Sequence, residues 1–371
     1  IRLYKGGIPA KYGGRLSSVL DIYQKEGNSK EFKATGGIGL ISSRLLLEGP
    51  IKEEKISFLI GGRSSYAHLF LPLFDNDNTA YFYDLNTKIN YRINDRNSLF
   101  FSGYFGKDVF GISENFVNTY GNQVANLRWN HLFSDKLFSN LSLIYSDYFY
   151  GLTLDFVGFE WDSGITNYNL KYDFNHFVSD KLKLSYGINN IYTKFNPGNI
   201  FPNRDDSGIV AEKLIDKYAN EFAAYIDAEQ KISDKLRLQY GMRFSNFTRL
   251  GQDELNVYQN NQPVIYNSQF KVYESATPIA TESFDRSDAI ASFNNFEPRI
   301  SMSYVLDDNT SVKASYNRMA QYLHLLSNTA SPTPLDVWAP SGEYIKPQLL
   351  DQYALGYFKS LKDGDYSLET E

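Results

Sequence analysis

The segment ITNYNLKYDFNHFV, residues 165 to 178, sorts its side chains by position. Thr166, Tyr168, Leu170, Tyr172, Phe174 and His176 share one parity; Asn167, Asn169, Lys171, Asp173 and Asn175 share the other. A period of two marks an extended strand with one apolar and one polar face. Residues 81 to 93 repeat it, with Tyr81, Tyr83, Leu85, Thr87, Ile89, Tyr91 and Ile93 against Phe82, Asp84, Asn86, Lys88, Asn90 and Arg92. So do 182 to 193, 221 to 232, 236 to 246 and 296 to 306, and no comparable helical period is present. The pattern predicts 14 strands, at about 29–49, 55–66, 80–93, 98–107, 122–133, 137–150, 162–178, 181–195, 218–232, 235–250, 293–306, 310–320, 348–361 and 365–371.

Two kinds of connection alternate between these strands. The short kind recurs as INDRNSLFF near 93, FSDKLFSNL near 133, VSDKLKLSY near 178, ISDKLRLQY near 232, LDDNTSVKA near 306 and LKDGDYSLE near 361. In each, Asp, Asn, Ser or Gly supplies a tight turn and the alternation resumes at once. The long kind covers about 67 to 79, 108 to 121, 151 to 161, 196 to 217, 251 to 292 and 321 to 347. Strands of 10 to 17 residues with short turns at one rim and long loops at the other predict an all-β, transmembrane, antiparallel up-and-down β-barrel. A soluble sandwich or propeller would show strands of about 5 or 6 residues and no such asymmetry.

Composition narrows the alternatives. Tyr (29) and Phe (27) dominate a chain with only 3 Met, which suits strands. The absence of cysteine excludes disulfides and thiolate metal sites. A net charge of −6 argues against nucleic acid as a partner, because phosphate binding needs a basic field. No apolar run approaches a membrane helix; the longest is LFLPLF at 69 to 74. A mean hydropathy of −0.40 fits a wall whose inner parity, rich in Asn, Ser, Lys, Asp and Gly, faces a wide, wet lumen. Across the six long loops Asp and Glu outnumber Lys and Arg by 12, which leaves a more basic body and places the long loops at the outer face. The chain opens at Ile1 without a leader-like segment and stops in mid-pattern, which reads as a section of a longer protein.

Residues 4 to 28, YKGGIPAKYGGRLSSVLDIYQKEGN, resemble the end of the plug domain of TonB-dependent outer-membrane receptors, where a glycine-rich stretch leads into the first barrel strand. FNNFEPRISMSYVL (293 to 306), SYNRMAQYLHLLSNTASPTPLDVWAPSGEYIKPQ (315 to 348) and LDQYALGYFKSLKDGDYSLETE (350 to 371) resemble successive strands and a loop of the same family's barrel. The resemblance implies residues 1–28 as the C-terminal segment of a plug and 29–371 as a partial barrel, with about 14 of 22 strands. It also implies active uptake of a bulky nutrient, whether glycan, peptide or iron chelate, across the outer membrane of a Gram-negative cell. The implied partners are outer-membrane lipid, an extracellular nutrient, a surface lipoprotein, and the TonB complex through a segment absent from this sequence. A passive porin or adhesin-like barrel and a soluble glycan-binding β-protein are the competing readings; the glycine-rich opening counts against the first, the long strands against the second.

Among individual residues, Gly13 and Gly14 permit close backbone approach, and the Arg15 guanidinium is suited to gripping lumen carboxylates. Glu297 and Arg299 lie on the polar parity with Asn295 and Ser301, placed either to hold the plug or to pair along the wall. Loop aromatics are candidate ligand contacts: Phe156, Phe159, Trp161, Tyr258, Tyr266, Tyr273, Trp338 and Tyr344, with Asp336 as polar neighbour. An interface belt for Phe159 and Trp161, and loop self-packing for Trp338, are the structural alternatives. His131 and His176 sit on the apolar parity near short hairpins, where an interfacial place outweighs ligation. His68 and His324 lack a partner at metal-binding spacing. No serine lies in a nucleophile elbow, and Asp205 and Asp206 are neighbours in one loop, so no enzyme, metal or other cofactor is expected. The glycine pairs at 36–37 and 61–62 lie in strands and imply no phosphate cradle.

Overall fold

The computed structural model describes residues 1–74, 78–113, 115–252, 254–326, 337–362 and 365–371. Asp336 and most of the loop before it lie outside the described residues. One antiparallel sheet dominates, its neighbours in near-continuous sequence order. The wall begins with β3 (Lys33–Ile38), β4 (Ser42–Lys52), β5 (Ile56–Ser65), β6 (Thr79–Asn94), β7 (Asn97–Ile112) and β8 (Phe116–Ser134). It continues through β9 (Leu137–Leu154), β10 (Phe159–Ser179), β11 (Leu182–Pro202), β13 (Lys217–Lys231) and β14 (Leu236–Leu250). Past the longest loop it resumes with β19 (Ala289–Asp307), β20 (Thr310–Gln321), β23 (Gln348–Leu361) and β24 (Tyr366–Thr370). Short strands flank or ride on this wall: β1 (Arg2–Tyr4) with β2 (Val19–Asp21), β12 (Glu212–Lys213) on β11, β15 (Leu255–Val257) with β18 (Ala280–Glu282), β16 (Val264–Asn267) with β17 (Val272–Ser275), and β21 (Leu323–Leu326) with β22 (Val337–Pro340). The sheet is open, with β3 and β24 at its edges.

Among the described residues the wall thus has fifteen strands, one more than the alternation predicts. The segment read as a single strand at 29–49 is a hairpin, turning at Gly39 where the Gly39 amide donates to Ser42 (3.0 Å). Its turn is spelled GIGLI, so apolar residues hid the reversal. The long connections expected at 108–121 and 151–161 are also mostly strand: β7 pairs with β8 as far as Ile112↔Phe116, and β9 with β10 as far as Leu154↔Phe159. These hairpins rise above the lipid belt, where aliphatic residues such as Ile112, Leu152 and Leu154 fall on the inward register and Thr119 and Thr153 on the outward, so the two-residue pattern fades while the backbone ladder continues.

Cross-strand partners share a face. The register therefore places Asn167, Thr193, Ala219, Arg249 and Ala291 on one side and Leu170, Ile188, Phe244 and Phe296 on the other. The first face is lumen-facing, because residues 5 to 28 lie across it. The second exposes a belt of large apolar side chains, among them Leu85, Phe101, Leu127, Leu143, Leu170, Ile188, Ile226, Met242, Phe296, Ile300 and Leu355. An exposed apolar surface of this extent on nearly every strand needs lipid as its solvent. Aromatic girdles bound it. At the short-turn side His131 packs between Trp129 (5.3 Å) and Phe133 (4.4 Å) and shares the Asn97 side chain (2.8 Å), with Phe174 stacked on Tyr186 (5.3 Å). At the other side Tyr145 meets Tyr168 (5.5 Å), and just beyond them the outward face turns polar, with Asp147 accepting from Gln123 and Thr166.

The ladder between β19 and β20 stops at Arg299↔Asn317, beside Pro298, which has no N–H to give. Above that point β20 keeps only β23 as partner, and Met319, Ala320 and Tyr322 are buried. The β21–β22 hairpin packs against β11 and β13, and so folds inward over the lumen face past β19 and β14, as a roof on this part of the wall. Tyr322 stacks on Phe247 (4.6 Å) in a cluster with Ile165, Phe195, Ala219 and Ala320, against which Trp338 packs.

Leu170→Arg, on the lipid face, should lower unfolding stability in vesicles by about 2–4 kcal/mol, whereas Asn169→Arg, facing the lumen, should cost far less. Urea titration of the refolded protein in lipid vesicles measures both.

Candidate functional site

The lumen face carries a buried charge cluster that holds the N-terminal segment. Arg243 (β14) and Glu297 (β19) are each only 1% exposed, and they face one another in register. Arg243 reaches Glu221 on β13 (3.4 Å) and lies 3.9 Å from Glu297, which is paired with Arg299 (3.0 Å). Arg299 also donates to the carbonyls of Pro9 (2.7 Å) and Ile8 (3.3 Å), and the Ala10 amide donates to Asp227 (2.6 Å). Glu297 and Arg299 thus pair along the wall and grip the N-terminal segment as well. Above them Ser245 donates to Glu297 (2.8 Å) and meets the Tyr322 hydroxyl (2.7 Å), which accepts from Asn295 (2.7 Å). A continuous polar chain therefore joins the roof at Tyr322 to the backbone of Pro9.

The segment runs on along the lumen. The Gly13 backbone lies so close to the Arg243 side chain that a Cβ would collide with it, and Gly14, in the left-handed region (φ 76°), borders Glu221. Arg15 is exposed and donates to the Gly14 carbonyl (2.9 Å), with the lumen carboxylate Glu221 nearby, while the guanidiniums buried against the segment are Arg243 and Arg299. Tyr12 donates to Asp21 (2.6 Å). Burial, and then this bond, pushes the Tyr12 phenol well above its usual range. For Asp21 burial acts upward, but the hydrogen bonds with Tyr12 and Tyr23 outweigh it and hold the carboxyl below its usual value. Farther along, buried Glu48 takes Lys25 (2.6 Å) and the Asn28 amide (3.2 Å), while Lys88 donates to the Gln24 carbonyl (2.9 Å). At its other end the Lys5 carbonyl accepts from Gln352 on β23 (2.9 Å). One strap of two dozen residues thus bridges both halves of the open sheet.

Toward the long-loop rim the lumen face of β6 to β10 changes from polar to aromatic. Phe82, Tyr104, Phe110, Tyr120, Tyr148, Tyr150 and Trp161 all fall on the inward register. Tyr104, Phe110 and Tyr120 are exposed, with Asn86, Asp108, Asn118 and Asn122 as cross-strand neighbours. Trp161, together with Phe159, belongs to β10 and not to a loop; it faces the lumen, is buried, and packs on Tyr150 (5.5 Å). Tyr258 and Tyr344 come together from different loops (5.4 Å), and the Tyr344 hydroxyl donates to the Asn256 carbonyl (2.8 Å). Tyr266 and Tyr273 pair only with one another (5.1 Å). Arg243, Glu221, Asp227 and Glu48 went unremarked in the sequence, although the first three sit on the polar parity of segments already read as strands.

His324 is buried against Ser341 (2.8 Å), and burial lowers its pKa. Among the described residues no group of His, Asp or Glu is placed to hold a metal ion, and no helix is long and apolar enough to cross a membrane.

A family of outer membrane beta barrel domains matches residues 203–339. No curated protein sequence matches the chain. Several solved structures share the fold. The alcaligin outer membrane receptor FauA from Bordetella pertussis aligns at TM-score 0.61 and 13% identity over 96% of this chain and 53% of its own. The copper transporter OprC aligns at 0.65 and 9% over 97% and 56%, and the siderophore receptor PirA from Acinetobacter baumannii at 0.62 and 13% over 97% and 55%. This chain therefore spans about half the length of each. The fold is that of an outer-membrane β-barrel, and the outer membrane is its location.

Arg243→Met strands Glu221 and Glu297 without their shared cation, at a cost of about 3–5 kcal/mol for a broken buried pair. The expected outcome is faster trypsin cleavage after Lys11 and Arg15 in the full-length protein in vesicles, with the wall still showing the folded mobility shift. Phe296→Ala, on the opposite face, should leave cleavage unchanged.

Proposed function

We propose that this chain is the barrel wall and last plug segment of a TonB-dependent transporter, with residues 1–28 as plug and 29–371 as barrel. The observation that carries the reading is the strap held across the lumen by Arg299, Asp227, Arg243 and Glu48. An open pore has no use for an internal segment bound by buried charges, whereas a transporter that must be opened by work has. The long loops and the aromatic upper wall supply a ligand chamber, with Tyr104, Phe110, Tyr120, Tyr258, Trp338 and Tyr344 as contacts and buried Trp161 packed behind them. The cargo is a bulky nutrient: glycan, peptide or iron chelate. The acidic loops and Asp108 favour a neutral glycan or peptide over an anionic chelate. The structures sharing the fold include receptors for siderophores and a copper transporter, which supports uptake as the general activity. The TonB complex is the partner this reading requires, and a surface lipoprotein is a further one it allows.

The test is growth of cells carrying the full-length gene on single carbon, nitrogen or iron sources. Growth on one source should require both the gene and a working TonB complex, and Tyr104→Ala with Tyr120→Ala should reduce it. Uptake that persists without TonB would return the protein to the class of passive pores.

A further inference from the structure

From Ser64 to Phe74 the chain carries no Lys, Arg, Asp or Glu, and from Ala34 to Ser43 none either. The structure brings these two stretches together. The Tyr66 amide donates to the Ile41 carbonyl (2.9 Å), its hydroxyl bonds the Gly39 carbonyl and takes Ser43 (3.2 Å), and its ring meets Phe70 (6.3 Å). His68, on the short 3-10 helix Ala67–Phe74, packs on Tyr81 (4.9 Å), which lies on the outward register of β6. The result is an uncharged ledge on the lipid side of the wall, whose Ile38, Leu40, Ile41, Leu69, Phe70 and Leu73 are between 48% and 93% exposed.

Directly below the ledge the lipid face is hollowed. Gly36 and Gly62 take outward positions where neighbouring strands present Leu45 and Leu85, and with Leu47 and Ile60 they shape a groove of about 950 Å³. Its level is fixed by the strands: Tyr83 stands twelve residues from the short turn at Asp95, as Tyr168 of the upper girdle does from Asp180. The ledge begins at that height. Water is a poor solvent for six bared apolar side chains, and the surface is continuous with the lipid-facing belt.

We propose that ledge and groove form an acyl-chain seat for an outer-leaflet lipid, the groove holding a chain and the ledge dipping into the leaflet above it. These 371 residues contain no cysteine, so a thiol introduced here has no competitor within them, and any cysteine elsewhere in the full-length protein is replaced by serine. Spin labels at Leu73→Cys and Gly62→Cys are placed in the full-length protein in vesicles of phosphatidylethanolamine and lipid A. A Cβ at Gly62 meets only ordinary contacts, 3.7 Å from Asp84 and 3.8 Å from Leu85, so the label is tolerated there. Both labels should collide more with oxygen than with a water-soluble nickel chelate, as a label at Tyr168→Cys in the belt does and one at Asp206→Cys in a loop does not. Collision behaviour like that of Asp206 at position 73 overturns the proposal. Protection from both agents overturns it too, since it means that protein covers the ledge. If the Gly62 variant fails to fold, position 73 decides alone.

Discussion

Each backbone N–H and C=O in the apolar zone must find its partner on an adjacent strand, because lipid offers none. That constraint explains the uninterrupted ladder from β3 to β24 and the rarity of register shifts within it. It also explains where irregularity is allowed. Bulges fall near strand ends, at Phe177/Ser179, Arg92/Asn94 and Arg249/Leu250. With the backbone closed in this way, side chains on the two faces are free to answer to different solvents, and the two-residue period follows.

The lumen face answers to the strap. Burying two guanidiniums and three carboxylates around Ile8 to Gly14 costs desolvation that their mutual attraction only partly offsets, so the cluster is poor value as simple stabilisation. What it supplies is position. Arg299 and Asp227 take backbone groups and not side chains, and so fix the strap's path whatever side chains it carries. Gly13 and Gly27 complete this fit by absence: at both, a Cβ would collide, with Arg243 in one case and with the Phe58 backbone in the other.

How far the sequence discloses this depends on the solvent each residue meets. Strands bathed by lipid on one side and water on the other show their period plainly: the range read as 218–232 lies within one residue of β13 at each end, and that read as 181–195 starts one residue before β11 and stops short of its upper end. Where both faces are wet, as at 108–121 and 151–161, the alternation dissolves and strand passes for loop. Where both are apolar, as at Ile38 to Ile41, a turn passes for strand. The lumen charges were legible as inward-facing positions, since Glu221, Asp227 and Arg243 sit on a polar parity, but not as a group. Their meeting depends on the lateral order of β13, β14 and β19, which pattern alone does not supply across a loop as long as 251 to 288.

Pro298 marks a seam in this otherwise seamless wall. Above it, residues 289 to 298 of β19 have a ladder partner only in β14, and the chain leaving β20 crosses inward to form the roof around Tyr322. The roof is therefore hinged to the wall without being stitched into it. Its attachment to the wall here rests on Asn295 of β19 and Ser245 of β14 meeting one hydroxyl and on the packing of Phe293, not on the sheet's own hydrogen bonds. Rearranging that roof breaks none of the ladder hydrogen bonds that keep the wall intact, so the roof and the part that withstands the membrane are mechanically separate.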